Sequence, residues 1–192
     1  MEIDLTGQVA LVAGADGTLR DAIAGRLAQS GAVVEHAGSP ASIRDRRGRL
    51  DMLVNADPAL LAEQAEPPFN AVGRAIARCY DAAASMQAGR IVNVGSIFGL
   101  VPCRGRNGLA AASAALFAQT RSAALELGPR GVLVNGVAAL LEPRPHTPLR
   151  RGASDDDVAH AVLFLLGGAS SYVTGEILRL DGGWSAGFAR DF

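Results

Sequence analysis

A chain of 192 residues, 49% of them apolar, has enough material for one sizeable core and argues against disorder. Its formal net charge of −1 gives no field that would draw it to nucleic acid or to an anionic membrane surface. The longest apolar runs, such as VLFLL at 162–166, are too short to span a bilayer, and residues 1–13 show no basic leader segment or cleavage site, so a cytoplasmic location is expected.

In chain order, VALVAG (9–14) reads as a strand, and the segment after its glycine turn takes helical spacing over 18–29. Further strands are expected at AVVEHA (32–37), DMLVNA (51–56), RIVNVG (90–95), VLVNGVA (132–138) and EILRLD (176–181), with helices over about 67–86, 107–127 and 155–166. Buried β-branched runs joined through helices predict a single α/β domain over 1–192, a doubly wound parallel sheet with helices on both faces. Only GSPASIRDRRGRL (38–50) connects the second strand to the third, and a parallel crossover needs a dozen or more residues. That segment can return the chain to the sheet but cannot also supply another strand. Its Arg44, Arg46, Arg47 and Arg49, interleaved with Asp45 and Asp51, read as a solvated loop rather than a phosphate-binding patch. Cys79 and Cys103 lack metal-ligand spacing and read as buried thiols, with no metal site expected. Pro143, Pro145 and Pro148 predict an extended loop over 141–154.

A strand, a glycine turn and a helix N-terminus form the arrangement that receives a pyrophosphate. Gly14 and Gly17 meet part of that requirement, while Thr18 and Arg20 stand where further glycines would help. The stretches LTGQVALVAGA, GRIVNVGS, SAALELGPRGVLVNGVA and VTGEILRLDGGW resemble the short-chain dehydrogenase/reductase family, in particular its 3-oxoacyl-acyl-carrier-protein-reductase-like members, over nearly all of 5–185. The resemblance implies a Rossmann-like three-layer α/β/α fold and an NAD(P) cofactor. It makes Gly14 the first phosphate-loop glycine and Asn55 the start of the family's Asn-Asn-Ala-Gly, which here continues as Ala56-Asp57-Pro58. The short 38–50 connection omits the family's third strand, whose end walls the adenine pocket. Gly38 stands where a residue selecting the adenosine end is usual. With four departures around one ligand, the chain itself is expected to bind no cofactor, leaving Gly14, Gly17 and Asn55 vestigial. Arg20 either fills the pyrophosphate volume or holds a phosphate.

The resemblance also implies a catalytic Tyr, its pKa lowered by a Lys four residues on, a substrate-polarising Ser, and an Asn on the preceding helix. Ser96 falls on the serine and Asn70 on the asparagine, but Leu109 and Ser113 occupy the Tyr and Lys positions, and the chain contains no Lys. Tyr80 and Tyr172 lie elsewhere, and Arg104 or Arg106 would stay protonated. His36, His146 and His160 read as solvent or packing residues. The expected function is a non-catalytic subunit that assembles with an active family member, which supplies NAD(P), Tyr and Lys, or with itself. Association would use the helices at about 67–86 and 107–127, the latter rich in small alanines, and the C-terminal strand. Two other readings stay open: an atypical NAD(P)-dependent oxidoreductase using Ser96, Asn70 and a water, and a stand-alone small-molecule-binding or regulatory module.

Overall fold

A computed structural model describes residues 3–62 and 68–187. Six strands, β1 (Val9–Ala13), β2 (Val33–Glu35), β3 (Met52–Asn55), β4 (Gly89–Ser96), β5 (Val132–Ala139) and β6 (Ile177–Leu180), form one parallel sheet in the order β2-β1-β3-β4-β5-β6. Five helices cover it: α1 (Thr18–Gln29), α2 (Pro40–Arg47), α3 (Pro68–Ser85), α4 (Asn107–Leu127) and α5 (Asp155–Leu166). The two-residue period of a strand divides β1 between two cores. Ala10 and Val12 pack with Ile23 and Leu27 of α1 and Val158 and Val162 of α5. Val9 and Leu11 join the opposite cluster with Ile43 of α2, Cys79 of α3 and Leu127 of α4. Coverage on both faces explains why the central strands are apolar at nearly every position.

The 38–50 segment departs from the expected solvated loop. It folds into α2, with the Ser39 hydroxyl accepting from the Ser42 N–H at 3.2 Å, Pro40 in the first turn, and Gly48 ending the helix at φ 77. Ile43, fully buried, anchors the helix, and the arginines lie where carboxylates neutralise them. Glu35 accepts from Arg46 at 3.1 Å and from Arg47 at 2.6 Å, while Arg44 pairs with Asp45 at 2.8 Å and Arg49 with Asp51 at 2.7 Å. The third helix runs from Pro68 to Ser85, and residue 67 of the expected span lies outside the described residues.

Topology follows from the direction of travel. The chain steps from β1 out to β2, then back across β1 to β3 and onward to β6. Right-handed crossovers therefore place α1 on one face and α2, α3 and α4 on the other, as the core clusters show. No strand lies outside β2 among the described residues, in agreement with the omitted third strand. The step from β5 to β6 continues in the same direction, yet α5 packs beside α1. The last crossover is thus left-handed, the hand that about 98% of such units avoid. This brings the α5 N-terminus to the crevice between β1 and β3, where the strand order reverses and ligands of open α/β sheets bind.

That N-terminus is held by a capping box. The Ser154 hydroxyl accepts from the Asp157 N–H at 3.2 Å, the Asp157 carboxylate accepts from the Ser154 N–H at 2.8 Å, and Arg151 reaches the same carboxylate at 2.5 Å. The Arg151 guanidinium, together with the Ser154 N–H, holds the Asp157 carboxyl well below the usual carboxylate range. Ser154→Ala is expected to lower urea-denaturation stability by about 1 kcal/mol at neutral pH. Because the folded-state pKa is depressed, Asp157→Asn also costs stability at neutral pH. Its difference from the unsubstituted protein should shrink as pH falls below the unfolded-state value of 3.8, measured by denaturation at successive pH values.

Candidate functional site

At the C-terminal end of β4, Ser96 is buried and its hydroxyl accepts the Phe98 N–H at 3.3 Å, opening the short turn Ile97–Gly99. The Ser96 N–H donates to the Ser113 hydroxyl at 3.2 Å, and that hydroxyl donates to the Leu60 carbonyl at 3.2 Å. Ser113 is wholly buried. Leu109, one turn earlier on α4, is 4% exposed and packs in one cluster with Leu60, Ile97 and Phe98. The helix reaches this depth because residue 99 is glycine: a Cβ there would stand 2.6 Å from the Ser113 carbonyl carbon. What remains around Ser96 is a void of about 10 Å³ bordered by Phe98, Arg106, Leu109, Leu140, Leu141 and Glu142. That is at most the space of one water molecule. Arg106 and Glu142 pair at 3.1 Å beside it. Asn70 is exposed on the first turn of α3 and does not border the void. The Tyr80 hydroxyl donates to Glu126 at 2.9 Å, and Tyr172 is fully exposed, so neither tyrosine reaches Ser96.

A second concavity is a cleft of about 480 Å³ at the strand reversal, bordered by Asp16, Gly17, Arg20, Asp57, Leu141 and Asp155 among others. Gly14 and Gly17 do different work there. A Cβ on Gly14 would lie 2.2 Å from the Ala56 carbonyl oxygen, so glycine is required for the end of β1 to pass the chain leaving β3. Gly17 caps α1 in extended backbone and faces open space. Arg20 is paired with Asp16, has Asp21 at 3.7 Å, and buries an Nε that finds no acceptor among the described residues. Asp57 is buried, accepting from the Ala59 N–H at 3.1 Å and from Arg74 at 2.7 Å. Asn55 turns inward, its amide donating to Asn93 at 2.9 Å, and Asn93 donates to Thr120 at 2.9 Å, which ties β3, β4 and α4 together. At the β2 end, Gly38 sits at φ 105 with the Ser42 hydroxyl 2.9 Å from where a Cβ would be.

Two expectations change here, for the 141–154 segment and for Cys103. The 141–154 segment is not extended throughout: His146 and Arg150 turn it at φ 66 and 54, and the Leu149 N–H is tied to the Gly182 carbonyl at 3.2 Å. Cys79 is buried, which pushes its thiol up, but Cys103 is only partly buried against the Phe98 cluster. His36, His146 and His160 are all exposed, with the His160 Nδ1 2.7 Å from the Asp156 carbonyl oxygen. The Asp57–Arg74 pair and the bridging role of Ser113 were not legible beforehand, because each joins segments with no common sequence pattern. Among the described residues no group of three or more His, Cys, Asp or Glu is placed to hold a metal ion, and no helix is long and apolar enough to cross a membrane.

Comparison with known proteins matches residues 39–141 to the family profile described as short chain dehydrogenase and residues 140–185 to that described as enoyl-(acyl carrier protein) reductase. The (2S)-[(R)-hydroxy(phenyl)methyl]succinyl-CoA dehydrogenase subunit BbsC of Thauera aromatica is 34% identical over 218 residues, covering 95% of this chain and 86% of that protein. The 3-oxoacyl-[acyl-carrier-protein] reductase FabG of Vibrio harveyi is 28% identical, with 94% and 98% covered. Other curated relatives are matched over only 32%, 44% and 66% of their own length. The crystal structure of acetoin dehydrogenase YohF from Salmonella typhimurium superimposes with a TM-score of 0.81 at 27% identity, covering 96% of this chain and 100% of that one. With the sheet, the reversal and these matches in agreement, the chain belongs to the short-chain dehydrogenase/reductase family.

Proposed function

We propose that this chain is a non-catalytic family subunit that assembles with an active dehydrogenase subunit, or with a second copy of itself, and supports the assembly rather than turning over substrate. The observation that carries this reading is the Ser113 hydroxyl. At the position where the family's catalytic Lys is expected, it is consumed between the Ser96 N–H and the Leu60 carbonyl. Leu109, at the Tyr position, is core. Beside Ser96 the titratable side chains bordering the void are Arg106 and Glu142, which pair with each other, and the void admits no nicotinamide ring.

The nucleotide cleft supports the same reading. A pyrophosphate there would face the carboxylates of Asp16, Asp57 and Asp155, while Arg20, the one arginine lining the cleft among the described residues, is already paired with Asp16. Like charges at such range oppose binding. The residues present do not fit a dinucleotide, and NAD(P) belongs to the partner. The name of the Thauera relative, a dehydrogenase subunit, favours a shared assembly.

The surface for assembly is the outward side of α3 and α4. Ala111, Ala114, Ala118 and Leu125 are exposed at helical spacing on α4, next to Phe69, Ala77 and Tyr80 on α3. Not all of the alanines contribute, since Ala112, Ala123 and Ala124 pack inward. The C-terminal strand β6, at the sheet edge, offers a second surface.

Co-expression with active short-chain dehydrogenases of the same organism should yield a stable complex, or the chain alone a dimer, by size-exclusion chromatography with light scattering. Ala118→Arg with Leu125→Asp should release monomer with unchanged circular dichroism, and a wild-type monomer under every co-expression would defeat the proposal. Titration with NADH and NADPH should give no saturable nicotinamide fluorescence change up to about 1 mM. Tight binding would instead favour an active oxidoreductase. Leu109→Tyr with Ser113→Lys should restore no turnover and should lower stability by about 3 kcal/mol or more, because it forces an ammonium into a filled core.

A further inference from the structure

Two Asn-Gly pairs occur in the chain, Asn107–Gly108 and Asn135–Gly136, and the fold treats them in opposite ways. A glycine after asparagine leaves its backbone nitrogen open to approach, so that it can close a five-membered ring on the side-chain carbonyl carbon. In β5 that approach is blocked. Asn135 is 1% exposed, its Nδ2 donates to the Val173 carbonyl at 2.8 Å, and its Oδ1 accepts the Glu176 N–H at 3.0 Å. The Gly136 N–H donates to the Glu176 carbonyl at 2.8 Å, and the strand holds the pair extended.

At the start of α4 those restraints are missing. Asn107 and Gly108 are exposed, and neither the Asn107 side-chain amide nor the Gly108 N–H makes a hydrogen bond among the described residues. They are the first two residues of the helix, where N–H groups have no partner within it. Arg106, at the N-cap, supplies no side-chain cap, and the first turn contains no acidic residue. The Ala110 N–H closes that turn on the Arg106 carbonyl at 2.8 Å, and terminal turns open locally at little cost. A Cβ on Gly108 would meet nothing nearer than the Pro68 Cγ at 3.9 Å, which leaves the room that ring closure needs. The positive end of the α4 dipole favours negative charge on the attacking nitrogen. Asn55 and Asn93 are buried, and Asn70, though exposed, precedes an alanine.

We propose that Asn107–Gly108 is a self-modification site, at which the folded chain converts an amide into a carboxyl group at the bare N-terminus of α4. The Gly108 nitrogen attacks the Asn107 Cγ and forms the N–Cγ bond. The Cγ–Nδ2 bond breaks, and ammonia leaves carrying the Gly108 amide proton. Water then opens the succinimide at either carbonyl. Opening at Cγ leaves an aspartyl residue; opening at the backbone carbonyl leaves an isoaspartyl residue, whose main chain runs through the former side chain. Nothing is oxidised or reduced. Either product adds one negative charge where the helix dipole is positive and no acid stands. The aspartyl form stabilises the first turn, two residues before Leu109 enters the core. The isoaspartyl form lengthens the main chain by one atom, and the turn before Leu109 reshapes to take it up. The chemistry needs neither turnover nor a partner, and it acts on the helix whose outer face is the proposed assembly surface.

The purified full chain, held for days at about 37 °C and mildly alkaline pH, should gain about 1 Da at position 107 by peptide mass spectrometry, with the isoaspartyl isomer resolved by retention time. Position 135 should change about tenfold more slowly or less, because its pair is locked in β5. In urea the two rates should converge, since the sequence of each pair is the same and only the fold separates them. Gly108→Ala, a change into open space, should slow the reaction at 107 about tenfold. The site is overturned by an unchanged Asn107 in the folded chain, by equal rates at 107 and 135 there, or by a Gly108→Ala chain that reacts as fast as the unsubstituted one. Asn107→Asp should raise the thermal midpoint by about 1–2 °C at low ionic strength. A midpoint that stays put or falls overturns the stabilising part of the proposal.

Discussion

The position of α4 against the end of β4 rests on one hydroxyl and one missing methyl group. Ser113 accepts the N–H of Ser96 and donates to the carbonyl of Leu60, while Gly99 lets the helix backbone come close enough for both bonds. Each bond contributes only about 1 kcal/mol net, but leaving either buried backbone group unpaired costs about 1–3 kcal/mol. The cost of breaking the contact thus exceeds the gain from making it. With the helix fixed at that depth, Leu109 enters the core and the space around Ser96 closes. Closure of the space around Ser96 and the packing of Leu109 are one event, seen from two sides.

A second constraint is the reversal of strand order at β1. Because the chain steps out to β2 and returns past β1 to β3, a crevice opens at the strand ends whatever residues line it. Gly14 is needed there for backbone to pass backbone, a requirement that persists with or without a phosphate. The left-handed crossover then swings α5 under α1 and brings Asp155 to the crevice. Topology preserves the cleft, and side chains decide its charge, which is why a recognisable nucleotide fold can carry an acidic lining.

Much of this was readable in the sequence where local rules dominate. Strands and long helices followed from apolar periodicity, and the omitted strand followed from the length of 38–50 alone. The same segment hid α2, since a helix anchored only by Pro40 and Ile43 and studded with arginines reads as a solvated loop until Glu35 is seen to bind two of them. The registers of Leu109 and Ser113 were legible, but the use of Ser113 was not. Its acceptor, Leu60, lies 53 residues away and offers only a backbone carbonyl, which no side-chain pattern announces. Arg74 and Asp57, 17 residues apart, meet only because α3 folds back over the end of β3. The contact of Arg144 with the Phe98 ring is likewise absent from any sequence pattern, because it joins a loop to the turn after β4.

Helix α4 presents two faces that answer to different constraints. Its inner face, from Leu109 through Ser113, Leu116 and Phe117 to Thr120, is set by the sheet, so a change there must preserve volume and hydrogen bonds. Leu109 and Ser113 meet those demands. The outer face answers to different physics. Alanine has no rotamer freedom to lose when covered, so a surface of Ala111, Ala114 and Ala118 can be buried at low entropic cost and at close backbone distance. Leu125, 82% exposed, supplies the bulk that such a flat face lacks, and burying it fully would contribute about 1.5–3 kcal/mol. The two faces share a backbone but no side chains. Substitution of the inner one therefore leaves the outer one free to be retained for its own reasons, and in the proposed assembly it is the outer side on which another subunit would rest.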